Sequence, residues 1–315
     1  MIFKAVCRPA LMLSRVAGII TIFFALAPSV QAGVGMLDQG ESLYNGSVNF
    51  SGGNKHWDVQ RQVITSVCQR RNVSLLQGYE YGYSYFHTIF ASVNFAYRRC
   101  GQINRAARVN PITGRVRPGY TLIGGPNAGI GDVQVGVRTR LNHRGTAAWE
   151  ALLIIPTGYD NNNPSRLGRG ALGLGLGLKF SSDVPNMLVK RSSWGWTLGT
   201  RYVYFFSGKG NVLTSFLETQ YAFTSTDFQQ TGDYAGLRIN HSVSFGRNGL
   251  QRQLFFNQVP RSMTNSDQIT VQLRYSHAFT GTGWSTSVHA GKTVFGRNNP
   301  IDYFAGMGLS YRWRD

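Results

Sequence analysis

Hydrophobic and polar residues alternate along most of the second half of the chain, and the alternation is clearest near the C-terminus. From Tyr303 to Trp313, the odd positions hold aromatic or aliphatic side chains, whereas the even positions from Gly306 onwards hold glycine, serine or arginine. A period of two is typical of a β-strand whose two faces meet different environments. Each such segment runs for about ten residues, enough for a tilted strand to cross a bilayer. The pattern therefore predicts transmembrane strands with an apolar face towards lipid.

The same pattern recurs along the chain, with turn residues between the segments. About twelve strands are predicted from residue 59 onwards, and an even number is expected of an outer-membrane barrel. The segment 42–50 carries a weaker strand pattern, and whether it forms a further strand stays open at this point. The predicted strands span residues 59–67, 73–84, 88–98, 131–141, 146–155, 171–180, 194–206, 213–225, 234–245, 268–279, 284–295 and 302–313. The predicted fold class is all-β, an antiparallel transmembrane β-barrel of the outer-membrane type.

Long loops and short turns mostly alternate between these strands. In outer-membrane barrels the short turns face the periplasm and the long loops face outside. Counting from a periplasmic C-terminus, we expect the loops 98–130, 157–169 and 246–267 to lie outside, with the first and last of them acting as gates. Aromatic residues near the strand ends predict a belt at each membrane interface. Its members include Tyr202, Tyr204, Phe206, Phe245, Tyr275 and Phe295.

The N-terminal residues have the parts of a secretory signal peptide. Three basic residues, Lys4, Arg8 and Arg15, precede an apolar run over 16–27. The sequence Val30-Gln31-Ala32 then fits a cleavage site that has small residues at its first and third positions. The apolar run is about 12 residues long, short of the ~20 that a spanning helix needs. We therefore expect a signal peptide over 1–32, a periplasmic or lumenal segment over 33–56, and a barrel over 57–315. The predicted location is the bacterial outer membrane.

The chain is strongly basic, with 32 lysines and arginines against 14 aspartates and glutamates. Removing Lys4, Arg8 and Arg15 with the signal peptide leaves 29 against 14, a net charge of +15. Arginine dominates over lysine, and its planar side chain pairs well with carboxylates and phosphates. In an exported barrel, this charge favours lipopolysaccharide phosphates or an anionic solute as partners, and it argues against nucleic acid. We also expect outer-membrane lipids and the barrel assembly machinery as partners, a monomeric state and no cofactor.

Strand parity assigns a set of charged residues to the inner face of the barrel. Charges on the lipid face near the membrane midplane would cost about 2–4 kcal/mol each. The inner set has seven cations and three carboxylates, so positive charge is in excess. Two interpretations stay open: ion pairs that brace the wall, or a passage that attracts anions. The predicted lumen-lining residues are Arg138, Arg140, Lys179, Arg201, Arg238, Arg274, Arg312, Glu80, Glu150 and Glu218.

Catalytic and metal-binding patterns are weak in this chain. Ser287 and His289 share a face, but no acid that could orient the histidine is evident beside them. His241 and Ser242 are adjacent on a strand and therefore point to opposite faces. The sequence also carries no metal-ligand cluster, P-loop or nucleotide-binding fingerprint. We therefore expect no enzymatic activity, with Ser287 and His289 as the candidates for a lipid-modifying alternative.

Two cysteines remain once Cys7 leaves with the signal peptide. Cys68 and Cys100 would both reach the outer side of the membrane in an oxidising compartment, which predicts a disulfide between them. The alternative is two unrelated free thiols.

Two motifs resemble those of a known group of barrels. The strand Gly129-Ile-Gly-Asp-Val-Gln-Val-Gly-Val-Arg-Thr-Arg-Leu141 and the strand end Leu153-Ile-Ile-Pro-Thr-Gly158 resemble outer-membrane transporters of the phenol meta-degradation pathway, and Glu80-Tyr-Gly82 fits as well. That family is distantly similar to the long-chain fatty acid and toluene transporters. The resemblance implies a barrel that takes up small, often aromatic or hydrophobic molecules.

Charge and resemblance together predict a channel for small solutes of anionic or aromatic-acid type. The chain has more basic residues than we expect of a transporter for hydrophobic solutes, and for this reason the predicted solutes include anions. An export channel for an anionic polysaccharide would use the same arginine lining. A lipid-modifying enzyme and a structural barrel with a plugged lumen are the further alternatives.

Overall fold

The computed structural model describes residues 35–58, 60–100, 102–105, 108–109, 116–117, 120–123, 126–157, 167–168, 170–182, 194–206, 210–222, 232–245, 266–279, 281–297 and 299–314, without the side chains of 66–69 and 100–126. All regular structure in this part of the chain is β-strand. Among the described residues, no helix is long and apolar enough to cross a membrane. The strands are β1 (Glu41–Trp57), β2 (Val63–Gly82), β3 (His87–Cys100), β4 (Gln102–Arg105), β5 (Arg108–Val109), β6 (Val116–Arg117), β7 (Tyr120–Ile123), β8 (Pro126–Ile130), β9 (Val133–Arg140), β10 (Ala147–Ile155), β11 (Gly173–Ser181), β12 (Trp194–Phe205), β13 (Asn211–Ala222), β14 (Gly232–Phe245), β15 (Asp267–Ala278), β16 (Trp284–Arg297) and β17 (Asn299–Arg314).

The wall is a closed antiparallel barrel of twelve strands. Consecutive strands from β9 to β17 pair with each other, β2 pairs with β3, and β1 closes the ring by pairing with both β17 and β2. The pieces β8 and β9 act as one wall strand because both pair with β3, at Phe95–Arg99 and at His87–Ser92 respectively. Every described wall strand therefore has a partner on both sides, which is the condition for a sheet that spans a membrane. The predicted fold class is confirmed.

The N-terminal part of the barrel differs from the prediction. Residues 41–57 form the wall strand β1, so the predicted boundary between a separate N-terminal segment and a barrel beginning at 57 is wrong. The single strand β2 covers both segments 59–67 and 73–84 that were predicted as separate strands. A strand that extends beyond the bilayer needs no apolar face there, so the polar run Gln69-Arg-Arg-Asn72 interrupts the hydrophobic pattern and not the strand. The total stays at twelve wall strands because β1 adds one strand to the predicted set, whereas two predicted strands are merged in β2.

Connections between the strands follow the predicted scheme in part. The predicted loop 98–130 contains paired backbone, because β4 pairs with β7 and β5 pairs with β6 in two small sheets separate from the wall sheet. The predicted loop 246–267 lies almost entirely outside the described residues, as does most of 157–169. The tight turn at 142–145 is confirmed, with the Asn142 side chain accepting hydrogen bonds from the backbone N–H groups of Thr146 (3.0 Å) and Ala147 (3.4 Å).

One face of the wall is apolar and exposed. On β11 and just before it, Leu172, Leu174, Leu176 and Leu178 are 42–65% exposed, while the glycines between them are buried. Six residues of the predicted belt are exposed as well, namely Tyr202, Tyr204, Phe206, Phe245, Tyr275 and Phe295. A closed barrel with an exposed apolar surface and aromatic belts belongs in the bacterial outer membrane.

Candidate functional site

Glu150 is the centre of a group of ion pairs on the face opposite the exposed leucines. Its side chain is 1% exposed and contacts Lys179 Nζ at 3.0 Å, Arg201 Nη2 at 2.6 Å and Arg138 Nε at 3.6 Å. The residue opposite Glu150 on β11 is Gly177, where a Cβ atom would come within 2.8 Å of Glu150 Cγ. Glycine therefore leaves the space in which the carboxylate reaches across β11 to Arg201 on β12. One carboxylate serves three cations here.

Arg138 connects this group to β2. Its Nη1 atom lies 3.0 Å from Glu80 Oε2 and also donates to the carbonyl oxygen of Gly35. Its guanidinium carbon lies 5.2 Å from the centre of the Phe90 ring, a distance at which cation and ring attract each other. We call Glu80, Arg138, Glu150, Lys179 and Arg201 the Glu150 cluster, which has three positive and two negative charges.

A second group surrounds Glu218 on β13. Glu218 Oε2 lies 3.2 Å from Arg238 Nη1, and Glu218 Oε1 lies 3.4 Å from Arg274 Nη1. Glu218 Oε1 also accepts a hydrogen bond of 2.8 Å from Gln220, and Arg238 Nε donates to Asn240 Oδ1 at 2.8 Å. We call Glu218, Arg238 and Arg274 the Glu218 cluster, which has two positive charges and one negative.

Phe216 lies beside the Glu218 cluster on the same strand and the same face. The Arg238 guanidinium carbon is 4.3 Å from the centre of the Phe216 ring. The ring covers Gly199 on the paired strand β12, where any Cβ atom would collide with it. The aromatic ring is thus held between strand backbone and guanidinium.

The two remaining predicted cations have partners that the sequence did not indicate. Arg140 Nη2 lies 3.1 Å from Asp38, and Arg312 Nε lies 3.0 Å from Glu41. Both carboxylates belong to the stretch that was predicted to lie outside the barrel wall. The signal that could have revealed Glu41 is the weak strand pattern of 42–50, which closes the barrel and brings its first residues to the end of β17.

Residues 35–38 pack onto the same charged face. Leu37 is fully buried, and its N–H group donates to Thr88 Oγ1 at 3.1 Å. The backbone oxygens of Gly35 and Leu37 accept from Arg138 and Arg140. The stretch before β1 is thus held by Arg138, which also pairs with the wall carboxylates Glu80 and Glu150, and by Arg140, which pairs with Asp38 of the stretch itself.

All ten charged residues predicted for the inner face take part in ion pairs on one face of the wall. With Asp38 and Glu41 added, these groups comprise seven cations and five carboxylates, an excess of two positive charges instead of the four expected from the sequence. The excess is smaller than predicted but keeps its sign. The assignment of this face to a solute passage remains a proposal, taken up below.

An apolar cluster fills part of the same side of the wall, and sequence reasoning missed it. Leu152, Ile154, Ala171, Val203 and Phe205 are buried together. The available signal was β10, whose sequence AAWEALLII is apolar at both parities instead of alternating. At Leu76 this side is not filled, because Leu76 lies on the face of Glu80, four residues before it on β2, and is 44% exposed.

Ser287 and His289 do not form a catalytic arrangement in the described part of the chain. The residues opposite His289 on the neighbouring strands are Arg274 and Gly306, so a cation and not a carboxylate faces the imidazole. His289 Nδ1 is buried and has no hydrogen-bond partner among the described residues. No group of three or more potential metal ligands occurs among those residues either.

The predicted disulfide falls on side chains outside the described residues. The backbone register places Arg70 on β2 opposite Cys100 at the end of β3, so Cys68 lies two residues further along β2. We expect the purified, unreduced protein to resist thiol labelling in denaturant, and to take up two labels per chain after reduction. Labelling of both cysteines without reduction would contradict the pairing.

Comparison with known proteins gives similarity in fold alone. No protein-family profile and no curated protein matches the sequence. Among solved structures, the COG4313 outer membrane channel from Pseudomonas putida F1 superposes with a TM-score of 0.64 at 12% identity, over 90% of this chain and all of that one. The chain has the fold of an outer-membrane channel. At 12% identity the likeness is one of fold, so the resemblance to phenol-pathway transporters stays a prediction.

Two other channels superpose less closely. The CymD monoaromatic hydrocarbon channel has a TM-score of 0.43 at 8% identity, over 92% of this chain and 98% of that one. The KdgM porin has a TM-score of 0.39 at 10% identity, over 84% of this chain and 98% of that one.

Proposed function

We propose that the protein is an outer-membrane channel for small solutes, and that anionic solutes, aromatic acids among them, pass along its charged inner face. The observation that carries the proposal is the excess of two positive charges among the ion-paired groups described above, which lie on the face opposite the exposed apolar one in a closed barrel. Arginines that line a narrow passage raise the local concentration of anions. The phenyl rings of Phe90 and Phe216 beside these arginines suit solutes that carry an aromatic ring as well as a negative charge.

A structural barrel with a plugged lumen is the second candidate, and two observations favour it. Every charge in the two clusters has an opposite charge within 3.6 Å, and the apolar cluster fills part of the same side of the wall. In such a barrel the ion pairs would only brace the strands. Electrical measurements separate the two candidates, since a plugged barrel carries no ion current.

The test replaces Arg201, Arg238 and Arg274 together by Gln and measures the reversal potential in planar bilayers under a salt gradient. The wild type is expected to prefer anions, and the triple variant is expected to shift towards cations. The shift is expected to be larger at low salt, because screening acts over about 10 Å at 0.1 M.

The matched control replaces the exposed residues Arg71, Arg99 and Arg144 together by Gln, and so removes three positive charges elsewhere on the chain. It is expected to leave the reversal potential almost unchanged. A folded wild type without any ion current would support the plugged barrel. An ion current with the same reversal potential in both triple variants would mean that the inner arginines only brace the wall.

A further inference from the structure

We propose that Arg201, Arg238 and Arg274, together with the Phe216 ring, form a binding site for a small aromatic carboxylate within the channel. This inference rests on the proposed channel function, and it assigns the solute class to particular side chains.

The first observation is where the excess charge lies. Arg140 contacts Asp38 and Arg312 contacts Glu41, so each of these two ion pairs has one positive and one negative charge. The two surplus charges therefore belong to the Glu150 and Glu218 clusters, where five cations share three carboxylates.

The second observation is which of the five cations a solute can reach. The side chains of Arg138 and Lys179 are 7% and 18% exposed, whereas those of Arg201, Arg238 and Arg274 are 32%, 30% and 25% exposed. The three more exposed arginines lie close together in the wall, on β12, β14 and β15, with Glu218 on β13 between the first two strands. The accessible part of the surplus is therefore concentrated on one arc of the wall.

The third observation is that Arg238 and Arg274 are incompletely paired. Each gives one Nη1 contact to Glu218, at 3.2 and 3.4 Å, in place of the two parallel bonds of a fork-shaped pair. Because neither guanidinium forms a two-bond fork with Glu218 and both side chains are partly exposed, a second carboxylate near Glu218 would complete their pairing.

The fourth observation concerns the rest of the ligand. The Phe216 ring is fixed by Gly199 beneath it and by the Arg238 guanidinium, 4.3 Å away. A ring carried by the solute gains contact with such a fixed aromatic surface, whereas a purely polar anion gains nothing from it. The combination of fork-shaped donors and a phenyl ring therefore selects an aromatic acid over acetate or chloride.

The experiment measures how benzoate, benzyl alcohol and acetate reduce the chloride current through single channels. For the wild type, we expect block by benzoate that saturates with concentration, and much weaker effects of the neutral alcohol and of acetate. Loss of one charge-assisted hydrogen bond is expected to raise the half-blocking benzoate concentration about tenfold in Arg238→Gln and in Arg274→Gln.

Two further variants separate the contributions of the guanidinium geometry and of the phenyl ring from that of positive charge alone. Arg238→Lys keeps the positive charge and loses the fork, so it should keep the wild-type reversal potential while block by benzoate weakens. Phe216→Leu should weaken block by benzoate and leave the effect of acetate unchanged. The control is Arg71→Gln, which removes an exposed charge elsewhere on the chain. Benzoate should block the current through this variant as it does in the wild type.

The possible failures are distinct. A folded wild type that carries no ions overturns the channel function and this site with it. A conducting wild type whose benzoate block is absent, matched by acetate, or unchanged in Arg238→Gln and Arg274→Gln overturns the site and leaves the channel function in place.

Discussion

Replacement of Glu150 by Gln is expected to lower the free energy of unfolding by about 3–5 kcal/mol, the usual cost of removing one partner from a buried ion pair. Glu150 is 1% exposed, and its carboxylate faces Lys179, Arg201 and Arg138. Neutralising it leaves three cations close together with only Glu80 to compensate them. Urea unfolding of the refolded protein in detergent micelles, followed by circular dichroism, gives the midpoint.

Glu80→Gln is the matched control, since the Glu80 side chain is 20% exposed and contacts one cation, Arg138. Its expected cost is roughly 1 kcal/mol, nearer to that of a surface pair. Adding Lys179→Met to Glu150→Gln should recover part of the loss, because it removes one of the uncompensated charges. Equal midpoints for Glu150→Gln and Glu80→Gln would contradict the central role of Glu150.

Deletion of residues 35–38 is expected to increase the single-channel conductance. These residues lie on the charged face, where Leu37 is fully buried and the backbone oxygens of Gly35 and Leu37 accept from Arg138 and Arg140. Their removal frees volume next to the proposed passage and also exposes two guanidinium groups to the permeating ions. Both changes favour anion flow.

Two point variants show which contact matters for the deletion. Thr88→Val removes the hydrogen bond to the Leu37 N–H group, and Leu37→Ala removes most of the buried side chain. Each is expected to give more frequent open events than the wild type, with the deletion giving the largest current. A deletion variant that is folded and conducts as the wild type does would show that this stretch does not obstruct the passage.

The sequence alone was sufficient to predict which charged residues share one face of the wall, for a reason particular to barrels. The side-chain period of a strand is two, and lipid rejects charge, so parity alone placed Arg238 and Glu218 on the same face although they are 20 residues apart. The partners were harder to predict. Asp38 and Glu41 come into contact with Arg140 and Arg312 only when β1 closes the ring, a pairing between the two ends of the barrel that no local pattern encodes.

The apolar cluster was missed for the opposite reason. Leu152 and Ile154 have the parity of Glu150 and share its face, but the alternation rule assigns that face to polar residues. A filled section of a narrow barrel has a packed core of its own, and its strands are apolar on both faces. The run AAWEALLII was therefore the informative exception to the pattern that predicted the fold.

The close contacts between glycines and large side chains have a consequence for how such a barrel can evolve. Phe216 covers Gly199, and Glu150 extends over Gly177, each pair lying on adjacent strands. A larger residue at either glycine collides with its partner unless that partner shrinks in the same lineage. The residues at such paired positions should therefore change together during evolution. Related sequences with a side chain at position 199 should carry a small residue at position 216.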